Sequence, residues 1–258
     1  MPEEPARLHA LFPCRLAERY LSALPESTGS QSQAWTRRYH VLTMGGMGLI
    51  ASGTVTLSRQ PLQPGMFLLR VTYEKRLAGT TSCRTQARIT CREDALATPT
   101  EWTMTVDSYD NTDRVVPVVS TSQTASLNEG VLTIKAFGKS RSCRIQDAAA
   151  TINWVLFEAV GRLPRTTPAR WPFTLLDDFD QPKPGVVLTL AGVETVILGG
   201  TQQIREHETQ LEQGRVFRPE KTWVGGSAAD LARFHLTGPG IVPWVFRVDP
   251  AGRMLFAG

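Results

Sequence analysis

The sequence is poor in the residues from which metal and redox centres are usually assembled. It holds 4 cysteines and 4 histidines in 258 residues. Cys14, Cys83, Cys91 and Cys143 form no Cys-x-x-Cys pair, which leaves structural zinc and thioredoxin-like redox chemistry without support. On one continuous strand, at about 3.3 Å per residue, Cys83 and Cys91 would stand about 26 Å apart, too far to bridge. We read two or three of the cysteines as buried free thiols acting as small hydrophobes. A disulfide from one of them to Cys143 is the alternative.

Other signatures are missing too. There is no His-Glu-x-x-His, no Gly-x-Ser-x-Gly elbow and no Asp-x-Asp-x-Asp-Gly calcium loop, so the usual metalloprotease, hydrolase and EF-hand sites are excluded. No apolar run approaches the roughly 20 residues that span a bilayer as a helix. The N-terminal stretch opens with Pro2, Glu3 and Glu4 and lacks the apolar core of a signal peptide. Pro13 before Cys14 is not the small residue that a lipoprotein cleavage site needs. Taken as complete, the chain reads as cytoplasmic; had a leader been removed, it would be periplasmic or secreted. Lysine is scarce, 5 against 23 arginines, which we read as coding bias.

What the sequence does contain is ordinary globular composition, 41% hydrophobic and 20% charged, sufficient for a substantial core. Net charge is +4. Residues 1–150 carry 17 basic and 13 acidic side chains, whereas 151–258 carry 11 of each. Nucleic-acid binders concentrate such charge on one face. Here the regular series is only Arg84, Arg88 and Arg92, so no nucleic-acid partner is expected.

Residues 14–24 read as a short helix between Pro13 and Pro25, and 26–34 as a polar linker; together 1–34 form an N-terminal helix and linker. From 35 to 145 the hydrophobic period is two. Val55 and Leu57 alternate with Thr54, Thr56 and Ser58; Leu69, Val71 and Tyr73 with Arg70, Thr72 and Glu74; Trp102, Met104 and Val106 with Glu101, Thr103 and Thr105. One-sided alternation is the signature of antiparallel strands with one wet face. Six or seven such strands without intervening helices make a meander, which tends to curl into a half-barrel.

Residues 148–163 read as the clearest helix, with Ile152, Val155, Leu156, Ala159 and Leu163 at helical spacing and Trp154 and Phe157 widening the apolar arc. A Pro-rich connector succeeds it over 164–172. A second strand set then runs over 173–258, with two strands around Gly192. The segment 201–214 fits helix or strand. A helix starts at Ser227 with Asp230 in its first turn, and a closing hairpin turns at Asp249–Gly252. The fold class is therefore mainly β (α+β): a large curved antiparallel sheet, a half-barrel, wrapped around one or two apolar helices, with 35–258 as a single half-barrel domain.

Fragments of chemical motifs are present but incomplete. Gly46-Met47-Gly48-Leu49-Ile50-Ala51 matches a dinucleotide pattern, yet the next residues, Gly53 to Leu57, are strand-like and not the helix that holds a pyrophosphate. Gly138-Lys139-Ser140 ends a phosphate loop that has no beginning, and reads as a charged turn. Glu206, His207 and Glu208 diverge on a strand and fan out on a helix, so no metal or other cofactor is expected. Asp177, Asp178 and Asp180 crowd together, and crowding of carboxylates supports acid–base work. Tyr39-His40 offers a second acid–base pair. Against these stands a set of inward apolar residues, Val55, Leu57, Val71, Tyr73, Trp102 and Met104, which either fill a core or line a greasy hollow.

The chain also resembles a group of uncharacterised bacterial proteins built on the half-barrel of the LolA/LppX-type lipoprotein carriers. The residues that carry the resemblance are Tyr39-His40-Val41 with the segment Gly45–Gly53, the run from Trp154 to Pro164, the run from Phe173 to Pro184, and the close from Pro243 to Phe256. It covers about 35–256. The resemblance implies a sheet wrapped over helices with its hollow available to acyl chains. The same scaffold also serves a cytoplasmic pigment-pathway enzyme, so the fold alone does not decide function. The first expectation is noncatalytic binding of a lipid or another apolar small molecule, with Val55, Leu57, Val71, Tyr73, Trp102 and Met104 lining the hollow. The alternative is an enzyme whose acid–base groups are Tyr39 and His40, or the Asp177–Asp180 cluster with Asp178 as the candidate base.

Overall fold

The computed structural model describes residues 6–7, 33–45, 48–76, 82–110, 114–117, 120–165, 169–177, 181–198, 201–211, 214–224 and 227–257. The helix expected over 14–24 lies outside them. In chain order the first strands are β1 (Ala6–Arg7), β2 (Trp35–Gly45), β3 (Gly48–Pro61), β4 (Met66–Arg76), β5 (Ser82–Arg92) and β6 (Pro99–Tyr109). Then come β7 (Thr121–Asn128), β8 (Val131–Ala136), β9 (Lys139–Arg144), β10 (Ala150–Ile152) and helix α1 (Asn153–Ala159). The remainder is β11 (Arg170–Asp177), β12 (Gln181–Leu198), β13 (Thr201–Leu211), β14 (Gly214–Val224), β15 (Ser227–Thr237), β16 (Trp244–Val248) and β17 (Met254–Ala257). The protein is mainly β, with one helix among the described residues.

The chain divides into two compact units, Glu26–Val193 with Ala232–Gly258, and Met1–Pro25 with Glu194–Leu231. In the second unit β13 and β14 form a hairpin, paired from Thr201↔Val224 to Leu211↔Gly214. The segment that fitted helix or strand is therefore strand. β1 pairs in parallel with the end of β12, Ala6↔Val196.

The first unit holds an eight-stranded sheet, β2 to β9 in sequence order, each strand antiparallel to the next. Its curl makes a half-barrel. The meander read from the sequence is present with eight strands rather than six or seven. Register sorts the side chains into rows on the inner face. Tyr39, Val55, Tyr73, Thr85 and Val106 stand opposite one another across β2 to β6. The next row is Leu57, Val71, Ala87, Met104, Gln123 and Ala136. The third is Arg59, Leu69, Ile89, Trp102, Ala125 and Ile134. The outer face carries Thr36, which hydrogen-bonds Ser58 at 2.8 Å, and Arg84, whose Nε lies 2.9 Å from Glu74 Oε1. Arg84, Arg88 and Arg92 are exposed on β5, as a solvated face requires.

The inner face is covered by α1. Tyr39 and Tyr73 of the sheet meet Phe157 and Trp154 of the helix, and Phe157 meets Trp244 and Phe246 of β16 on its other side. The helix is thus packed from two directions, which explains its broad apolar arc. It is shorter than the 148–163 expected. Ala150–Ile152 are extended and pair in parallel with Thr174–Leu176 of β11, and 160–163 form a turn. Ala150, Thr151 and Ile152 are all buried. A strand buried on both faces reads as an unbroken apolar run, which period alone cannot separate from a buried helix.

Two further expectations are corrected. Ser227 starts strand β15, not a helix, and Asp230 accepts a hydrogen bond from Thr195 Oγ1 at 2.6 Å across to β12 instead of capping. The two strands expected around Gly192 are one strand, β12. Gly192 sits at φ +129°, a conformation open to glycine, and the strand continues through it. The closing hairpin is as expected: Gly252 N donates to Asp249 O at 3.0 Å, with Gly252 at φ +81°.

Candidate functional site

β3 points three residues in succession to the inner face: Val55, Leu57 and Arg59. The third is a charge on an apolar face. The Arg59 side chain is fully buried, and an unpaired charge there would be prohibitive. Its Nε lies 3.2 Å from Glu158 Oε1 of α1, its Nη2 meets Glu93 Oε1, and its Nη1 donates to Gln33 O at 3.0 Å. Arg162, one turn beyond Glu158, reaches the other oxygen, Nε to Oε2 at 2.8 Å. Both guanidinium groups lie over the Phe67 ring, at 4.5 and 5.5 Å. One carboxylate is thus held between two cations above an aromatic face. Burial pushes the Glu158 carboxyl above its ordinary value, outweighing the opposite pull of Arg162 and Arg59. Arg59 and Glu158 are buried at its centre, with Glu93 and Arg162 at its partly exposed edge, and the cluster clamps helix to sheet.

Toward the row of Tyr73 the interior turns aromatic. Tyr73 and Trp154 have ring centroids 5.4 Å apart, and Trp154 and Phe157 5.8 Å. Phe157 continues to Tyr39 at 5.6 Å, to Phe246 at 6.2 Å and to Trp244 at 6.3 Å. These separations are those of attractive offset and edge contacts. Tyr73, Trp154 and Trp244 are half-buried, whereas Tyr39, Phe157 and Phe246 are buried. The rings therefore form a connected path from solvent into the core. Burial, with a smaller push from Cys83, raises the Tyr73 hydroxyl above its ordinary value.

Deeper on the same face, two buried donors lack a hydrogen-bond partner among the described residues: Trp102 Nε1 and Gln123 Nε2. Register makes them diagonal neighbours, since Trp102 opposes Ala125 and Met104 opposes Gln123. Unmade buried hydrogen bonds cost about 1–3 kcal/mol each.

The structure brings the six apolar residues singled out from sequence onto one face. Val55, Leu57, Val71, Trp102 and Met104 are buried there, and Tyr73 alone is half-buried. Of the acid–base candidates, Tyr39 is 6% exposed and packed on Phe157. The His40 side chain and Asp178 lie outside the described residues. Asp177 pairs with Lys183 Nζ at the end of β11. Sequence reading missed Arg59 and Glu158, although period two from Leu57 points Arg59 inward. It noted Trp154 and Phe157 on the helix without joining them to Trp244 and Phe246 of the closing hairpin.

Of the two or three buried free thiols expected, the described cysteines supply one that is fully buried: Cys91 is buried, Cys83 half-buried and Cys143 exposed, all without a disulfide. Cys143 stands on an edge strand with solvent on both faces, so alternation does not bury it. Burial pushes the Cys91 thiol well above its ordinary value, and Glu158 adds to the shift. Iodoacetamide on the native protein is therefore expected to label Cys143 readily and Cys91 only after unfolding. Peptide mapping of the alkylated chain reads this directly; equal rates at the two sites would mean that the inner face opens in solution.

No protein-family model and no curated protein matches the chain. Among solved structures it is similar to a β-barrel-like protein of the domain of unknown function DUF1849 from Brucella abortus, at 13% identity and a TM-score of 0.46, over 87% of this chain and 90% of that one.

Proposed function

We propose that the protein binds, without catalysis, a lipid or another apolar small molecule that enters the half-barrel between Tyr73, Trp154 and Trp244. The observation that carries this reading is the unbroken path of rings from half-buried Trp154 and Trp244 to buried Phe157 and Phe246. Aromatic surface that spans solvent and core is how apolar ligands are admitted and held. The two unpartnered donors, Trp102 Nε1 and Gln123 Nε2, suit an acceptor such as a carbonyl or carboxyl at the far end of the ligand. Tyr73 on β4 and Gln123 on β7 are three strand spacings apart, about 14 Å along the sheet, which favours an elongated molecule. The reading accords with the acyl-chain hollow implied by the resemblance to lipoprotein-carrier half-barrels.

The test is native mass spectrometry of gently purified protein, followed by solvent extraction, with N-phenyl-1-naphthylamine titration of the delipidated chain. A co-purifying lipid is expected. Probe affinity is expected to fall about threefold to tenfold in Trp154→Ala, the worth of one aromatic contact. A clean apo mass together with probe binding unchanged by Trp154→Ala would overturn the proposal.

A further inference from the structure

We infer that the β8–β9 hairpin is a docking element for an anionic lipid surface, independently of what the aromatic path holds. The hairpin, Val131–Arg144, carries Lys135, Lys139, Arg141 and Arg144 and no acidic residue. The rest of the chain is balanced, 24 basic against 24 acidic side chains. The whole net charge of +4 therefore equals the charge of these fourteen residues. β9 ends the eight-stranded sheet, and all six of its residues are exposed. Basic residues on an edge strand discourage edge-to-edge pairing of sheets, which would account for the charge alone.

Edge protection does not explain the tip. The two-residue turn is Phe137-Gly138, at φ +52° and +69°. Such turns ordinarily take asparagine or aspartate before the glycine, and a bulky residue in the left-handed region is uncommon. Yet phenylalanine stands there, 79% exposed. A ring held out at a tip, with Lys139, Lys135 and Arg141 on the three residue pairs next to it, is the composition of a membrane-interface anchor: the ring enters the acyl boundary while the cations meet anionic headgroups. An acidic partner in solution would use the cations and leave the ring unexplained.

The position agrees. Ala136 stands in the row of Gln123, Met104 and Val71, so the turn beyond it is level with the row of Tyr73 and Val106. Val115, another apolar residue, 45% exposed, bridges to Tyr109 at this same end of the sheet. The tip and the half-buried Tyr73 thus belong to one end.

The test is co-sedimentation of the full chain with vesicles of phosphatidylcholine and phosphatidylglycerol, against phosphatidylcholine alone. Binding to the anionic vesicles is expected, weakening as salt rises from about 0.1 to about 1 M. Phe137→Asn, which suits the turn better, is expected to weaken partition about tenfold, and Phe137→Trp to restore it. Lys139→Gln and Arg141→Gln are expected to cost about fivefold each. Equal sedimentation with neutral vesicles, or anionic binding indifferent to Phe137→Asn, would overturn the inference. So would binding to soluble polyglutamate, lost in the charge variants, without vesicle partition; that result would assign the hairpin to an acidic partner in solution.

Discussion

Glu158→Ala is expected to destabilise the native state by about 3 kcal/mol, because it leaves the fully buried Arg59 and the half-buried Arg162 without their shared carboxylate. Glu93 still meets Arg59, but at the edge of the cluster, and Arg162 keeps no other carboxylate among the described residues. Urea unfolding monitored by tryptophan fluorescence measures this, with the midpoint falling at unchanged slope. Glu158→Gln separates charge from packing: it keeps the volume, loses the charge and should recover only part of the deficit. The pH dependence has a definite sign. The Glu158 carboxyl titrates above its ordinary value of 4.5 in the folded protein. The native state therefore holds this proton more firmly than the unfolded chain does. The stability contributed by this group is fully present below about 4.5 and is lost as pH rises through the folded value. Between those limits the stability of Glu158→Gln is expected to depend less on pH than that of the parent. A single-variant loss below about 1 kcal/mol would mean that the two guanidinium groups find other partners, and that the clamp is not what seats the helix.

Gly161→Ala is expected to cost about 3 kcal/mol or more, at the upper end of overpacking effects. A Cβ at this position would stand 2.2 Å from Gly252 O and 3.2 Å from Gly252 C. Both contacts are backbone, so no rotamer relieves them. Gly161 closes the turn after α1, with its N–H on Glu158 O at 3.2 Å and its carbonyl accepting from Arg165 Nη2 at 2.9 Å. Gly252 belongs to the Asp249–Gly252 turn of the β16–β17 hairpin, where Asp249 binds the Arg253 guanidinium at 2.6 Å. Two tight turns therefore meet backbone to backbone, and only glycine permits the approach. Gly65→Ala is the control. Gly65 has φ +77° but an added methyl would find nothing within 4 Å, so only the backbone cost of about 1 kcal/mol applies. Thermal melts of the two variants compare the two costs. Equal losses would show that the terminal hairpin yields to the methyl.

Arg59 and Gly161 differ in how visible they are in the sequence. Arg59 obeys the same alternation as Val55 and Leu57, so its inward direction is written in the strand period. Its tolerance inside is not, because that depends on Glu158, ninety-nine residues later, arriving on the facing turn of α1. Gly161 is one of 21 glycines, and nothing local sets it apart from Gly65. The aromatic path is likewise split among β2, β4, α1 and β16, and each segment alone shows only an apolar position.

Local pattern by itself determined the meander over 35–145, the inner and outer faces of its strands, and the turn that closes the terminal hairpin. These features depend on neighbours two residues apart or on turn chemistry, and both are carried in short windows. Only the tertiary structure decided that Ala150–Ile152 are strand, that Ser227 begins β15, that β12 runs through Gly192, and that a buried carboxylate joins two arginines. In each case the deciding partner is distant in the chain, and backbone pairing or charge neutralisation outweighs a local propensity of a few tenths to about 1 kcal/mol.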